Sequence, residues 1–139
     1  ENEALQDKVH QYTLALLGTH DLASMQHVAT RNLREIFSVP HAEIRLWKEQ
    51  PPSVELMAFA DQNTRPICAH EAVLDTQLWF GESAEHLRSF AYLPLHKGAQ
   101  SVGMLVLASE DAQRFYPEMG TVFLQRIAEL ISSAIYPHL

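Results

Sequence analysis

At 139 residues, with 47% hydrophobic and 19% charged side chains, the chain has the size and balance of one globular domain that buries roughly two-thirds of its unfolded surface. Seventeen acidic against ten basic residues give a formal charge of −7, and the basic residues stand singly, which argues against nucleic-acid and anionic membrane partners, both of which need clustered positive charge. No apolar run reaches the roughly 18 residues of a bilayer span, no basic-then-apolar leader opens the chain, and the single cysteine, Cys68, permits neither an internal disulfide nor a cysteine-only zinc site. The expectation is a soluble, cytoplasmic protein with a single domain over residues 1–139.

Over residues 3–17, Leu5, Val9, Tyr12 and Leu16 form the seam of a coiled-coil-like helix, with Leu14 and Leu17 widening it and Gly18 ending it. The pattern opens without an N-cap, so residues 1–17 read as the end of a longer helix. Asp21 caps a second helix running to about Phe37, with Leu22, Met25, Ala29, Leu33 and Ile36 on one face. Pro40 stops it, because a proline holds its predecessor in extended geometry.

The period then changes to two. Residues 42–48 place Ile44 and Leu46 on one side of a strand and Arg45 and Trp47 on the other. Pro51-Pro52-Ser53 is read as a turn, and 54–60 as the antiparallel partner strand. Residues 61–89 are irregular, with an extended piece at 67–70 and helical pieces at 72–80 and 83–88. Two strands follow, 90–95 and 101–109, apolar on both faces and joined by a turn at 96–100. Strands of that kind need layers above and below the sheet. A last helix over 118–135, with Pro117 at its first position, carries Val122, Leu124, Ile127, Leu130, Ile131 and Ala134 in one stripe. It belongs beside the first two helices, with the irregular middle on the other face.

Tyr92-Leu93-Pro94-Leu95, His96-Lys97-Gly98, Val102-Gly103-Met104-Leu105-Val106-Leu107, Phe115, Leu124, Ile127-Ala128 and Ile131 resemble, in that order, the end of a GAF domain. Gly103 in mid-strand suits a close approach by a neighbouring backbone or side chain. The stretch from Ser109 to Leu124, together with the opening Glu1-Asn2-x-x-Leu5, resembles a proteobacterial GAF-related family of unknown function (DUF four-eight-four). The resemblance covers essentially the whole chain. It implies an α+β fold of three α/β/α layers, with a five-stranded antiparallel sheet between helices, and a helical segment before residue 1 that favours dimers. It implies no particular chemistry.

No catalytic motif is present. His70-Glu71 begins like a zinc-protease helix, but Leu74 stands where the second histidine belongs. No two of the other histidines have the helical spacing of four that would make them metal ligands on one face, so neither metal nor cofactor is expected. GAF domains that reduce free methionine sulfoxide rely on several cysteines, and this chain has one. Cys68 and His70, alternate residues on an extended piece, would face the same way and bring a thiol beside an imidazole. A single cysteine is usually a small buried apolar residue, and no Asn or Asp placement completes a triad with this pair.

Between the sheet and the middle segment, Trp47, Met57, Phe59, Trp79, Phe80, Tyr92 and Met104 could wall a ligand pocket, with Arg45, Arg65, Cys68 and His70 supplying polar contacts. The same aromatics serve as well for a second core layer. Arg45 on that face needs an anion, since a buried unpaired guanidinium is too costly. The leading expectation is a non-enzymatic, GAF-like sensory or regulatory domain that binds a small organic ligand, with an anion suggested by Arg45, and forms a homodimer through its terminal helices. The alternative is a ligand-free dimerisation and protein-interaction module.

Overall fold

The two strands that are apolar on both faces occupy the centre of the sheet, where each face can be covered. In the computed structural model, which describes residues 2–118 and 121–139, β3 (Ser89–Lys97) pairs antiparallel with β4 (Gln100–Ser109). The edge strand β1 (His41–Leu46) pairs antiparallel with β4, and β2 (Ile67–Ala69) with β3, giving the order β1-β4-β3-β2. Gly98, at φ +66°, makes the tight turn between the central strands.

One face is covered by three helices, α1 (Asn2–Leu17), α2 (Leu22–Phe37) and α4 (Val122–Ile135). Met25 and Leu33 of α2 and Ile127 and Ile131 of α4 pack there against Leu46, Leu93 and Leu105 of the sheet. Asp21 caps α2 as expected, its carboxylate accepting from the Ser24 N–H at 2.7 Å. Tyr12 is fully buried between α1 and α2 and donates its hydroxyl to the Ala29 carbonyl at 2.8 Å. The opposite face is covered by α3 (Val54–Gln62) and a 3₁₀ segment, Thr76–His86, over a second core of Trp47, Leu56, Phe80, Phe90, Tyr92 and Met104. This is the expected mixed three-layer arrangement with an antiparallel sheet, built on four strands.

The fifth strand expected over 54–60 is the helix α3. Ser53 accepts from the Leu56 N–H at 3.1 Å as an N-cap, and Leu56 and Ala60, one helical turn apart, are the residues buried on the sheet. The reversal after β1 comes earlier than the prolines, where the N–H groups of Glu49 and Gln50 both bond to the Leu46 carbonyl at 3.0 and 2.9 Å. β1 is therefore an edge strand. Arginines occupy carbonyls along it: Arg34 donates to Ala42 O at 3.2 Å and Arg45 to Ile44 O at 3.0 Å. Engaging those acceptors blunts the edge against pairing with another strand.

Two further expectations are corrected, and one holds with shorter bounds. Leu14 and Leu17 do not widen the α1 seam: they are exposed, because Leu14 lies roughly 200° around the helix from buried Tyr12. The two helical pieces expected at 72–80 and 83–88 are present as shorter 3₁₀ turns within Thr76–His86, divided at Gly81, whose φ of +58° and ψ of −130° no helix accommodates. α4 begins at Val122, so Pro117 and Glu118 stand in a turn before it; the expected helical positions Met119 and Gly120 lie outside the described residues. Val122 itself is exposed.

Candidate functional site

Alternation along β1 sends Ile44 and Leu46 into the helical core and leaves Arg45 on the other face. There, at the free edge of the sheet, a cleft of about 530 Å³ opens between β1, the start of α3 and the residues around the first turn of the 3₁₀ segment. Arg45 and Trp47 form one wall, Pro51 to Ser53 with Glu55 and Leu56 a second, and Leu74, Asp75, Leu78 and Trp79 the third.

The Arg45 guanidinium lies 5.0 Å from the Trp79 ring centre, a cation–π stack. Its Nη1 donates to Glu43 Oε1 at 3.1 Å and to the Ile44 carbonyl at 3.0 Å. The anion that Arg45 requires is thus Glu43, two residues back on the same face of the same strand. Trp47 is held by a relay: its Nε1–H donates to Ser101 Oγ at 3.0 Å, and that hydroxyl donates to Asp61 Oδ1 at 2.6 Å. The Ser101 N–H adds a second bond to Asp61 at 2.9 Å. These bonds favour the carboxylate and hold the Asp61 pKa below its ordinary value. With its N–H engaged, Trp47 offers the cleft only its ring.

Arg45, Trp47 and Trp79 are the predicted site residues that meet at this cleft. Met57, Phe59, Phe80, Tyr92 and Met104 pack together behind it, Tyr92 and Met104 with no exposed surface. The space expected beneath the middle segment is therefore filled by side chains, and the opening lies at its rim. Cys68 points the other way, into the helical core, because Ile67 and Ala69 take the face turned to the middle segment. Burial raises its thiol pKa. His70 lies beyond the end of β2, exposed, with Nε2 3.2 Å from the Ala112 carbonyl, so the thiol and imidazole do not meet. Arg65 is exposed near α4, in a depression shared with Arg126 and Glu129.

The remaining wall residues, among them Glu55, Leu74, Asp75 and Leu78, were not among the residues expected at the site. Reading Pro51-Pro52-Ser53 as a hairpin turn concealed the helix start that places Glu55. A serine before Val54-Glu55, with an acidic residue in the first turn, was the available signal. Leu74 has φ +52°, a conformation that propensity does not anticipate for leucine. Among the described residues, no group of three or more His, Cys, Asp and Glu is placed to hold a metal ion, and no helix is long and apolar enough to cross a membrane.

The fold is that of GAF domains. The GAF domain of a phosphoenolpyruvate-protein phosphotransferase from Coxiella burnetii superposes with a TM-score of 0.73 over 97% of this chain and 94% of its own, at 13% identity. The nlh2 GAF domain of A. aeolicus in an inactive state gives 0.68 over 99% of both chains at 14% identity. The free methionine-R-sulfoxide reductase of Neisseria meningitidis, in complex with its substrate, gives 0.65 over 98% and 92% at 14% identity. At these identities the likeness concerns the fold alone. No curated protein matches the chain. The family model described as "Protein of unknown function, DUF484" matches residues 1–138, and the chain belongs to that family.

Proposed function

We propose that the chain is a non-enzymatic sensory or regulatory domain that binds a small organic molecule in the cleft beside β1 and dimerises through its terminal helices. The observation that carries the reading is the cleft itself, where two indole rings and an arginine converge beside a solid core. Apolar walls with a few fixed polar groups are the usual make-up of a small-molecule site. The dimer reading draws on α1: Leu5 continues the seam of Val9, Tyr12 and Leu16 but is 42% exposed, and Leu14 and Leu17 are 54% and 73% exposed on another side.

A route for the signal follows from the contacts. The third wall of the cleft is tied to β3 through Tyr92, whose hydroxyl accepts from Val73 N–H at 2.7 Å. β3 meets α4 where the His96 N–H donates to Ser132 Oγ at 3.3 Å. A ligand that favours one position of the 71–79 segment would bias the helical layer by population shift.

Native mass spectrometry of the purified protein tests both parts. The expected spectrum is a dimer carrying a small mass that is lost on denaturation. A bare dimer would favour the alternative, an interaction module with a filled core, and a monomer would overturn the dimer reading.

A further inference from the structure

We infer that the ligand class suited to the cleft is a small organic cation with an apolar body, such as a substituted or quaternary amine. This rests on the cleft being a ligand site, and it follows from which charges there are already engaged. The cleft has two positive features, and neither is free. Arg45 is neutralised by Glu43 at 3.1 Å and covered on one side by Trp79. At the N-terminus of α3, Ser53 already accepts from the Leu56 N–H.

The negative features are different. Glu55, on α3, and Asp75, just before the 3₁₀ segment, both line the cleft, and neither forms an ion pair among the described residues. An anion entering there would face two carboxylates and find no unengaged cation. A cation would meet two carboxylates together with the rings of Trp47 and Trp79, and indole is the most favourable aromatic face for a cation. That Trp79 already stacks with a guanidinium shows that its ring accepts one. Leu74 and Leu78, 45% and 72% exposed at the cleft mouth, supply the surface for the apolar body. The net charge of −7 adds a long-range field of the same sign.

The test is calorimetric titration of the purified chain with three probes sharing one ring: benzyltrimethylammonium, benzyl alcohol and benzoate. The expected result is that the cation binds most tightly and perturbs tryptophan fluorescence, and that its affinity weakens as salt is raised. A Glu55→Gln/Asp75→Asn double variant changes only exposed side chains and is checked for an unchanged unfolding temperature. It should lose roughly fivefold to tenfold in affinity for the cation, the effect of removing two surface charges, and little for the alcohol. Benzoate binding as tightly as the cation, or cation binding unaltered in the double variant, overturns the charge assignment while leaving the cleft a ligand site. Heat and fluorescence silent to all three probes would remove the small-ligand reading itself.

Discussion

The hydroxyl of Tyr92, on the central strand β3, accepts a hydrogen bond from the backbone N–H of Val73 at 2.7 Å, and Thr76 Oγ1 lies 3.3 Å from the same oxygen. Thr76 in turn donates to the Val73 carbonyl at 2.7 Å. A fully buried side chain thereby crosses the second core and fixes the backbone of the segment that walls the cleft. Burial raises the phenol pKa, with the bonds from Thr76 and Val73 opposing that shift in part, so the hydroxyl remains neutral at physiological pH.

Tyr92→Phe keeps the ring and removes this anchor. The Val73 N–H then lacks its partner, at an expected cost of about 1–2 kcal/mol. Urea unfolding should show that loss, and hydrogen exchange should accelerate over residues 71–79 more than in β3 and β4. Uniform acceleration would mean that the hydroxyl stabilises the whole fold without fixing this segment.

Gly103 answers to close packing. A Cβ there would lie 2.5 Å from the Arg45 carbonyl oxygen and 2.8 Å from Leu46 Cδ2, so β1 must shift away from β4 to admit it. Gly103→Ala is expected to destabilise by about 2–3 kcal/mol through overpacking. Gly98→Ala meets no atom within 4 Å but keeps φ +66°, and should cost about 1 kcal/mol of backbone strain. Thermal unfolding of the two variants checks the order, and the reverse order would contradict the tight β1–β4 contact.

Acid should weaken the fold through three exposed carboxylates. The pKa values of Asp61, Asp21 and Glu110 are lowered, chiefly by hydrogen bonds from Ser101, the Ser24 N–H and the His41 ring respectively. A depressed folded-state pKa adds stability that is fully present above the unfolded value and disappears as pH falls through the folded one. The unfolding temperature should therefore decline from roughly pH 5 downward. Asp61→Asn should lower it at neutral pH and make the acid decline shallower. An unchanged decline would remove Asp61 from the set.

Cys68 should be inert in the native protein. It is buried on the helical face and its thiol pKa is raised by desolvation, so little thiolate is available near neutral pH. A disulfide reagent should label no thiol on mixing and one per chain after denaturation. Rapid native labelling would mean that β2 opens readily at the sheet edge.

Where apolar residues fit one period and not the other, the sequence was sufficient. Residues 90–95 and 101–109 are apolar on both faces and join through a glycine-bearing turn, which demands a covered antiparallel pair. Met25, Ala29 and Leu33 recur only at helical spacing, and Asp21 marks where that helix starts. Gly103, alone in a strand of larger residues, signalled a close approach, and the fold supplies β1 as the neighbour.

Tertiary structure decided the remainder, because those features depend on partners distant in sequence. Val54, Leu56 and Ala60 suit a strand or a helix, and the choice rests on the Ser53 cap and on burial of Leu56 and Ala60 against the sheet. Arg45 signalled a need for an anion, but only the folded strand identifies Glu43 as its source and Trp79 as its cover. Cys68 and His70 alternate in sequence, yet β2 ends at Ala69, so the pleat that would align them stops one residue short. The aromatics read as pocket walls divide between a filled core and an open cleft because packing density, which no single position encodes, sets where side chains leave space.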